Sequence, residues 1–162
     1  MAGGKREEAV SNTFTKLNLK KQHEILVVNA PESFEMEMSQ LPGIVVQREA
    51  RNLKSIEFCL VFVTTRKELD ELAMVIINKA VADAVLWFAY PKRTSKRYQS
   101  DLSRDTGWDE LGRAGFECVR MVAIDEDWSA ARFRHIDFIK TLNRAQRRTI
   151  KEAVIEKSID QS

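Results

Sequence analysis

The chain has 162 residues, 44% of them hydrophobic and 31% charged, with a formal net charge of +2. That length fits one domain, and the balance excludes both a disordered chain and a membrane-embedded one. So small a net charge also excludes a whole-molecule field strong enough to gather nucleic acid or anionic lipid, which leaves electrostatic recognition to local clusters.

The first ten residues are polar, with adjacent glycines and several charges, and read as a tail over residues 1–12. They lack the apolar core of a secretory leader, and no later run is long enough to span a bilayer, so a cytoplasmic location without membrane contact is expected. Residues 24–30 (EILVVNA) form a short β-branched run stopped by Pro31, the pattern of a buried strand. Residues 31–41 follow with Phe34, Met38 and Leu41 on one helical face, until Pro42 and Gly43 end the helix. A second strand begins at residues 44–47 (IVVQ).

The longest apolar run, residues 56–64 (IEFCLVFVT), predicts a central strand. It leads into a helix over 65–81, where Leu69, Leu72, Ala73, Ile76, Ile77 and Ala80 make one stripe. Thr65 is its N-cap, and Glu68 three residues on completes a capping box. A fourth strand follows at 84–90 (AVLWFAY), then a basic loop over 91–99 and a helix over 102–114, capped by Asp101 or Ser103 and closed by a left-handed Gly115. A hairpin over 116–124 and 128–134 comes last, turning at 125–127, with Trp128, Ala130 and Phe133 as its packing residues. A charged helix closes the chain over 141–162.

This order predicts one α/β domain over residues 13–140. Its core is a Rossmann-like, open, mostly parallel twisted sheet of about six strands, with an antiparallel C-terminal hairpin and helices on both faces. Cys59 and Cys118 both lie in apolar strand-like runs and read as buried reduced thiols, too few for a disulfide framework or a zinc site. His23 and His135 are far from both in sequence, so no metal is expected.

Ligands of open α/β sheets bind beyond the carboxyl ends of the strands, near the point where strand order reverses. Three loops leave those ends, and they carry Asn29, Thr64 and the segment Tyr90-Pro91-Lys92-Arg93-Thr94-Ser95-Lys96. Ammonium, guanidinium and hydroxyl donors gathered there suit a phosphate or carboxylate. The candidate ligand-binding set is therefore Lys92, Ser95 and Lys96, with Tyr90, Asn29 and Thr64 nearby and Arg104 as a supporting anion clamp. The loop after the first strand has no glycine, so it is not a dinucleotide-binding turn, and no phosphate-cradling G-x-x-x-x-G-K-[ST] run occurs. Tyr90 and Lys96 do not have the spacing of a reductase pair, and Ser95 beside Lys96 would point away from it in an extended loop. No catalytic residue and no cofactor are assigned. In the C-terminal helix, Arg144, Arg147, Arg148 and Lys151 form a basic face and Ile150, Val154 and Ile155 an apolar one. Docking, a homodimer or a protein partner through this helix is expected ahead of nucleic acid, since no nucleic-acid module is present.

The pattern Tyr90-Pro91-Lys92, Ser95-Lys96, Asp101, Arg104, Gly107-Trp108 and Trp128-Ser129-Ala130 followed by Arg132-Phe133 resembles a family of small bacterial proteins classed as a domain of unknown function. That resemblance carries no activity with it. The architecture also resembles class I methyltransferases, in which a strand ending in a Pro-Lys step precedes a helix and a closing antiparallel hairpin. Here NAPESF stands where those enzymes carry their glycine loop. The leading expectation is a non-catalytic domain binding a small anionic ligand or a partner at the strand ends. The alternatives are a methyltransferase-like enzyme with a degenerate cofactor loop, and a nucleic-acid-associated protein using Arg93, Lys96, Arg97 and the tail.

Overall fold

The computed structural model describes residues 12–104 and 107–139. The tail over residues 1–11 and the C-terminal helix expected at 141–162 lie outside the described residues. The elements in chain order are α1 (Asn12–Lys16), β1 (Glu24–Val28), α2 (Glu35–Ser39), β2 (Val45–Gln47), β3 (Ile56–Phe62), α3 (Arg66–Lys79), β4 (Ala80–Pro91), α4 (Asp109–Arg113), β5 (Phe116–Ala123) and β6 (Trp128–His135). Short 3-10 turns at Glu32–Phe34, Ala50–Asn52 and Ile136–Phe138 join them.

The six strands form one sheet in the order β2-β1-β3-β4-β6-β5. The first four are parallel, and β6 inserts antiparallel between β4 and β5. This is the expected Rossmann-like sheet with its antiparallel hairpin. Strand order reverses between β1 and β3, because the chain leaves β1 for β2 on one side and returns to β3 on the other.

Both faces of the sheet are covered, which is why β1 and β3 read as almost continuous apolar runs. On one face Leu26, Cys59, Val61, Leu86, Phe88, Ala131 and Phe133 pack against Leu69, Ala73 and Ile76 of α3 and Leu111 of α4. On the other, Ile25, Val27, Phe58, Leu60, Trp87 and Ala130 pack against Phe14 and Leu17 and against Phe34 and Met38. The short α1, which no sequence pattern announced, is fixed there by the buried Trp87 indole, whose Nε1 donates to the Leu17 carbonyl at 2.7 Å. Since an isolated five-residue helix is unstable in water, this tertiary bond and the burial of Phe14 hold it.

The helix expected over 102–114 shrinks to Asp109–Arg113. Gly107 has φ +100, and a side chain there would clash with the buried Leu102, so no helix runs through it. Trp108 Nε1 donates to the Ser103 carbonyl at 2.8 Å, tying Trp108 to Ser103. Gly115, at φ +89, supplies the expected left-handed residue after α4. The expected pair of buried thiols is half right. Cys59 is buried and Cys118 is exposed, because β5 is an edge strand.

Candidate functional site

At the strand-order reversal, the carboxyl ends of β1 and β3 lie side by side, where ligands of such sheets bind. Asn29 ends β1 in a left-handed conformation, φ +59, which asparagine tolerates better than most residues. Its Nδ2 makes long contacts of 3.4 Å to the Phe62 carbonyl and to Glu68 Oε2. The Thr64 backbone N–H donates to Glu68 Oε1 at 2.9 Å, and the Glu68 N–H donates to Thr65 Oγ1 at 3.1 Å. Thr65 is thus the predicted N-cap, while the Glu68 carboxylate reaches one residue further back than a capping box requires. The Arg66 N–H donates to Asp101 Oδ1 at 2.7 Å.

At the amino end of α3 the Arg66 N–H is thus taken by the Asp101 carboxylate and the Glu68 N–H by the Thr65 hydroxyl, while the Glu68 carboxylate takes the Thr64 N–H just before the helix. Such groups attract an external anion when left open. Here Glu68 and Asp101 supply the negative charge from within. Beside them, aromatic rings fill the space on the α1 face. Phe34 packs edge-on against Phe62 at 5.2 Å, Phe62 against Trp128 at 5.0 Å, and Trp128 against Tyr98 at 4.9 Å.

The basic loop leaves the end of β4 and is tied to the hairpin. Pro91 pairs with Trp128, which brings the turn residue Asp127 alongside: its carbonyl accepts from the Lys92 N–H at 2.8 Å. Asp127 Oδ1 also accepts from Ser95 Oγ at 2.9 Å, and Ser95 Oγ in turn accepts from the Tyr98 N–H at 3.2 Å. These bonds fold the loop into a ridge with two sides. Lys92, Arg93 and Ser95, with Tyr98, Ser100 and Leu102, line a cavity of about 430 Å³. Thr94, Lys96 and Arg97 face another, of about 370 Å³, shared with Glu126 and Asp127.

The predicted residues are thus only partly brought together. Lys92 and Ser95 share one cavity, and Lys96 stands on the opposite side of the ridge among carboxylates. Asn29 and Thr64 meet each other through Glu68 at the switch point. Tyr90 is buried, its ring edge-on to Trp108 at 5.6 Å. Arg104 is exposed, and its charge bears on Cys118, where it counters the upward push of burial on the thiol. Sequence reasoning missed Asp127 as an organiser and gave Asp101 to the wrong helix: α4 begins after Trp108, and Asp101 instead accepts from the first N–H of α3. Asp127 was legible only as a turn residue, because its reach to Ser95, 32 positions away, follows from the pairing of β6 with β4. The Asp101 bond was not legible, because its partner Arg66 is 35 positions away. Among the described residues no group of three or more His, Cys, Asp or Glu side chains is placed to hold a metal. No described helix is long and apolar enough to cross a membrane.

No family model matches this chain, and no curated protein does. Solved structures do match. The N-methyltransferase NodS from Bradyrhizobium japonicum WM9 aligns with a TM-score of 0.50 at 13% identity, over 81% of this chain and 96% of that one. The magnesium protoporphyrin IX methyltransferase from Synechocystis PCC 6803 with bound SAH aligns with a TM-score of 0.50 at 10% identity, over 82% of each chain. This chain has a Rossmann-like, methyltransferase-type fold. At such identities the likeness is one of backbone architecture, and chemistry has to be argued from the side chains.

Proposed function

We propose that this chain is a methyltransferase-fold domain that binds a small anionic ligand in the cavity beyond β4 and performs no group transfer at the switch point. The observation that carries this reading is the division of charge at the strand ends. Cationic Lys92 and Arg93 line the cavity with the polar Ser95, Gln99 and Ser100, whereas carboxylates occupy the amino end of α3. A phosphate or carboxylate is drawn to the first and repelled by the second. Screening thermal stability against nucleotides, phosphosugars and carboxylates tests it. Bound anion at about a hundredfold excess over its Kd should add about 2.7 kcal/mol of stability. The reading fails if no anion stabilises the native chain more than the Lys92→Ala/Arg93→Ala variant.

A second reading is an adenosylmethionine-dependent transferase with a rebuilt cofactor loop. The strand order with its inserted antiparallel β6, together with the alignment to two methyltransferases, favours it. On this reading Asn29, in its left-handed turn, takes the place of a loop glycine. Titration calorimetry with adenosylmethionine separates the two readings, since heat that Asn29→Ala abolishes and Lys92→Ala leaves intact would favour the transferase.

A further inference from the structure

A separate concentration of cations lies on the sheet face between β6 and β5. Strict alternation along β5 would put Phe116, Cys118, Arg120 and Val122 on one face. The register instead breaks between Cys118 and Arg120, so that Cys118 stands opposite Phe133 while Arg120 stands opposite Arg132. Val119 is the extra residue of a bulge, and beyond it the strand has changed phase. Phe116 therefore packs with Phe133 on the α3 face, while Val122 joins Ala130 on the α1 face. The bulge thereby sets Arg120 beside Arg132 on neighbouring strands. Like charges in directly opposed positions repel, so this pairing needs a compensating reason.

Arg132 is half-buried beside Trp87, its partner on β4, and its Nε is buried without a hydrogen-bond partner among the described residues. Burial above all, and then the charge of Arg134, lowers the pKa of its guanidinium; Asp83 acts in the opposite direction, and Arg120 lowers it further. Asp83 is already committed. Arg134 engages both of its carboxylate oxygens, with Nε at 2.9 and 3.1 Å and a terminal nitrogen at 2.5 Å. Arg132 thus feels the Asp83 charge but has no carboxylate hydrogen-bonded to it among the described residues, and a bulge that brings a second arginine beside it is unfavourable unless an anion is shared between them.

We propose that Arg120 and Arg132 form a binding site for an oxyanion, the phosphoryl or carboxylate group of a ligand, on the α1 face of the sheet. Two guanidinium forks on adjacent strands can each donate to such a group, and Arg134, paired with Asp83, does not compete for it. The site lies about 16 Å down β4 from Lys92, counting five residues of strand, and does not depend on the cavity there.

Titration of the full chain, labelled with nitrogen-15, with inorganic phosphate and separately with acetate at constant ionic strength tests the site, with chloride as the reference. The Arg132 Nε–Hε resonance is expected to shift saturably with phosphate, acetate or both. Arg120→Gln should weaken that binding about tenfold, as loss of a charge-assisted contact implies. Arg120 is exposed, so this variant should keep the fold, which an unchanged backbone amide spectrum verifies. Arg132→Lys, which keeps the charge and loses the fork, should weaken binding comparably. Response to phosphate alone marks a phosphoryl ligand, and response to acetate alone a carboxylate. A non-saturating shift, an equal shift with chloride, or unchanged affinity in Arg120→Gln overturns the proposal.

Discussion

Replacing Glu68 is the most direct way to test whether the switch-point crevice is closed from within. In the native chain its carboxylate accepts from the Thr64 N–H at 2.9 Å and stands 3.4 Å from Asn29 Nδ2, at the positive end of the fourteen-residue α3. A hydrogen bond to a charged group contributes about 1.5–3 kcal/mol, and a carboxylate in the first helical turn a further 0.3–1 or so. Glu68 is only partly buried, which places the loss for Glu68→Ala near the lower end, about 2 kcal/mol. Glu68→Gln keeps an acceptor for Thr64 but presents an amide to Asn29 and forfeits the charge, so about 1 kcal/mol is expected. For a chain of this size these values correspond to melting points lower by roughly 4–8 °C and 2–4 °C. Urea unfolding at neutral pH measures both. Phosphate should then stabilise Glu68→Ala more than the native chain, because the Thr64 N–H becomes available and the positive end of α3 loses a competing carboxylate. Both variants lying within about 0.5 kcal/mol of the native chain, with no new response to phosphate, would refute the reasoning.

Trp87→Phe should cost about 1–3 kcal/mol in urea unfolding, because the buried Leu17 carbonyl loses the indole donor that anchors α1. The two thiols should differ in their reaction with a disulfide reagent. Cys59, pushed up to about 12 by burial, should stay silent until the chain unfolds. Cys118, exposed but with its thiol partly desolvated and so raised in pKa, should react in the native state, more slowly than a free thiol at neutral pH and faster as pH climbs. Equal reactivity of the two in the folded chain would contradict this assignment. Gly115→Ala forces a side chain onto φ +89 and brings its Cβ to 2.9 Å from His135 Nε2, so a loss of about 1–3 kcal/mol is expected from thermal or urea unfolding.

Much of the fold was legible because local chemistry and tertiary environment agreed. The apolar runs at 24–30 and 56–64 became β1 and β3, and the stripe from Leu69 to Ile76 faces the sheet from α3. Elements whose existence depends on distant partners were not legible. The pattern over 102–114 is helical on paper, yet Leu102 and Trp108 gain more by packing against the sheet than by continuing a helix through Gly107. The strand-end site was legible as a region but not as an arrangement. The clustering of Lys92, Arg93, Ser95 and Lys96 is visible in the residues, whereas the splitting of that cluster into two sides follows from the bonds Asp127 makes across the hairpin.

Composition and periodicity by themselves determined that this chain forms a layered α/β sheet with a closing hairpin, since burial on two faces leaves an unmistakable apolar record along each strand. Only the tertiary structure decided which charges meet. Glu68 and Asp101 close the amino end of α3, and Arg120 stands beside Arg132 through a one-residue bulge. Hydrophobic burial is a property of each segment and can be read locally, but electrostatic pairing depends on distances between segments, and a single shift of register reverses the face on which a charge appears.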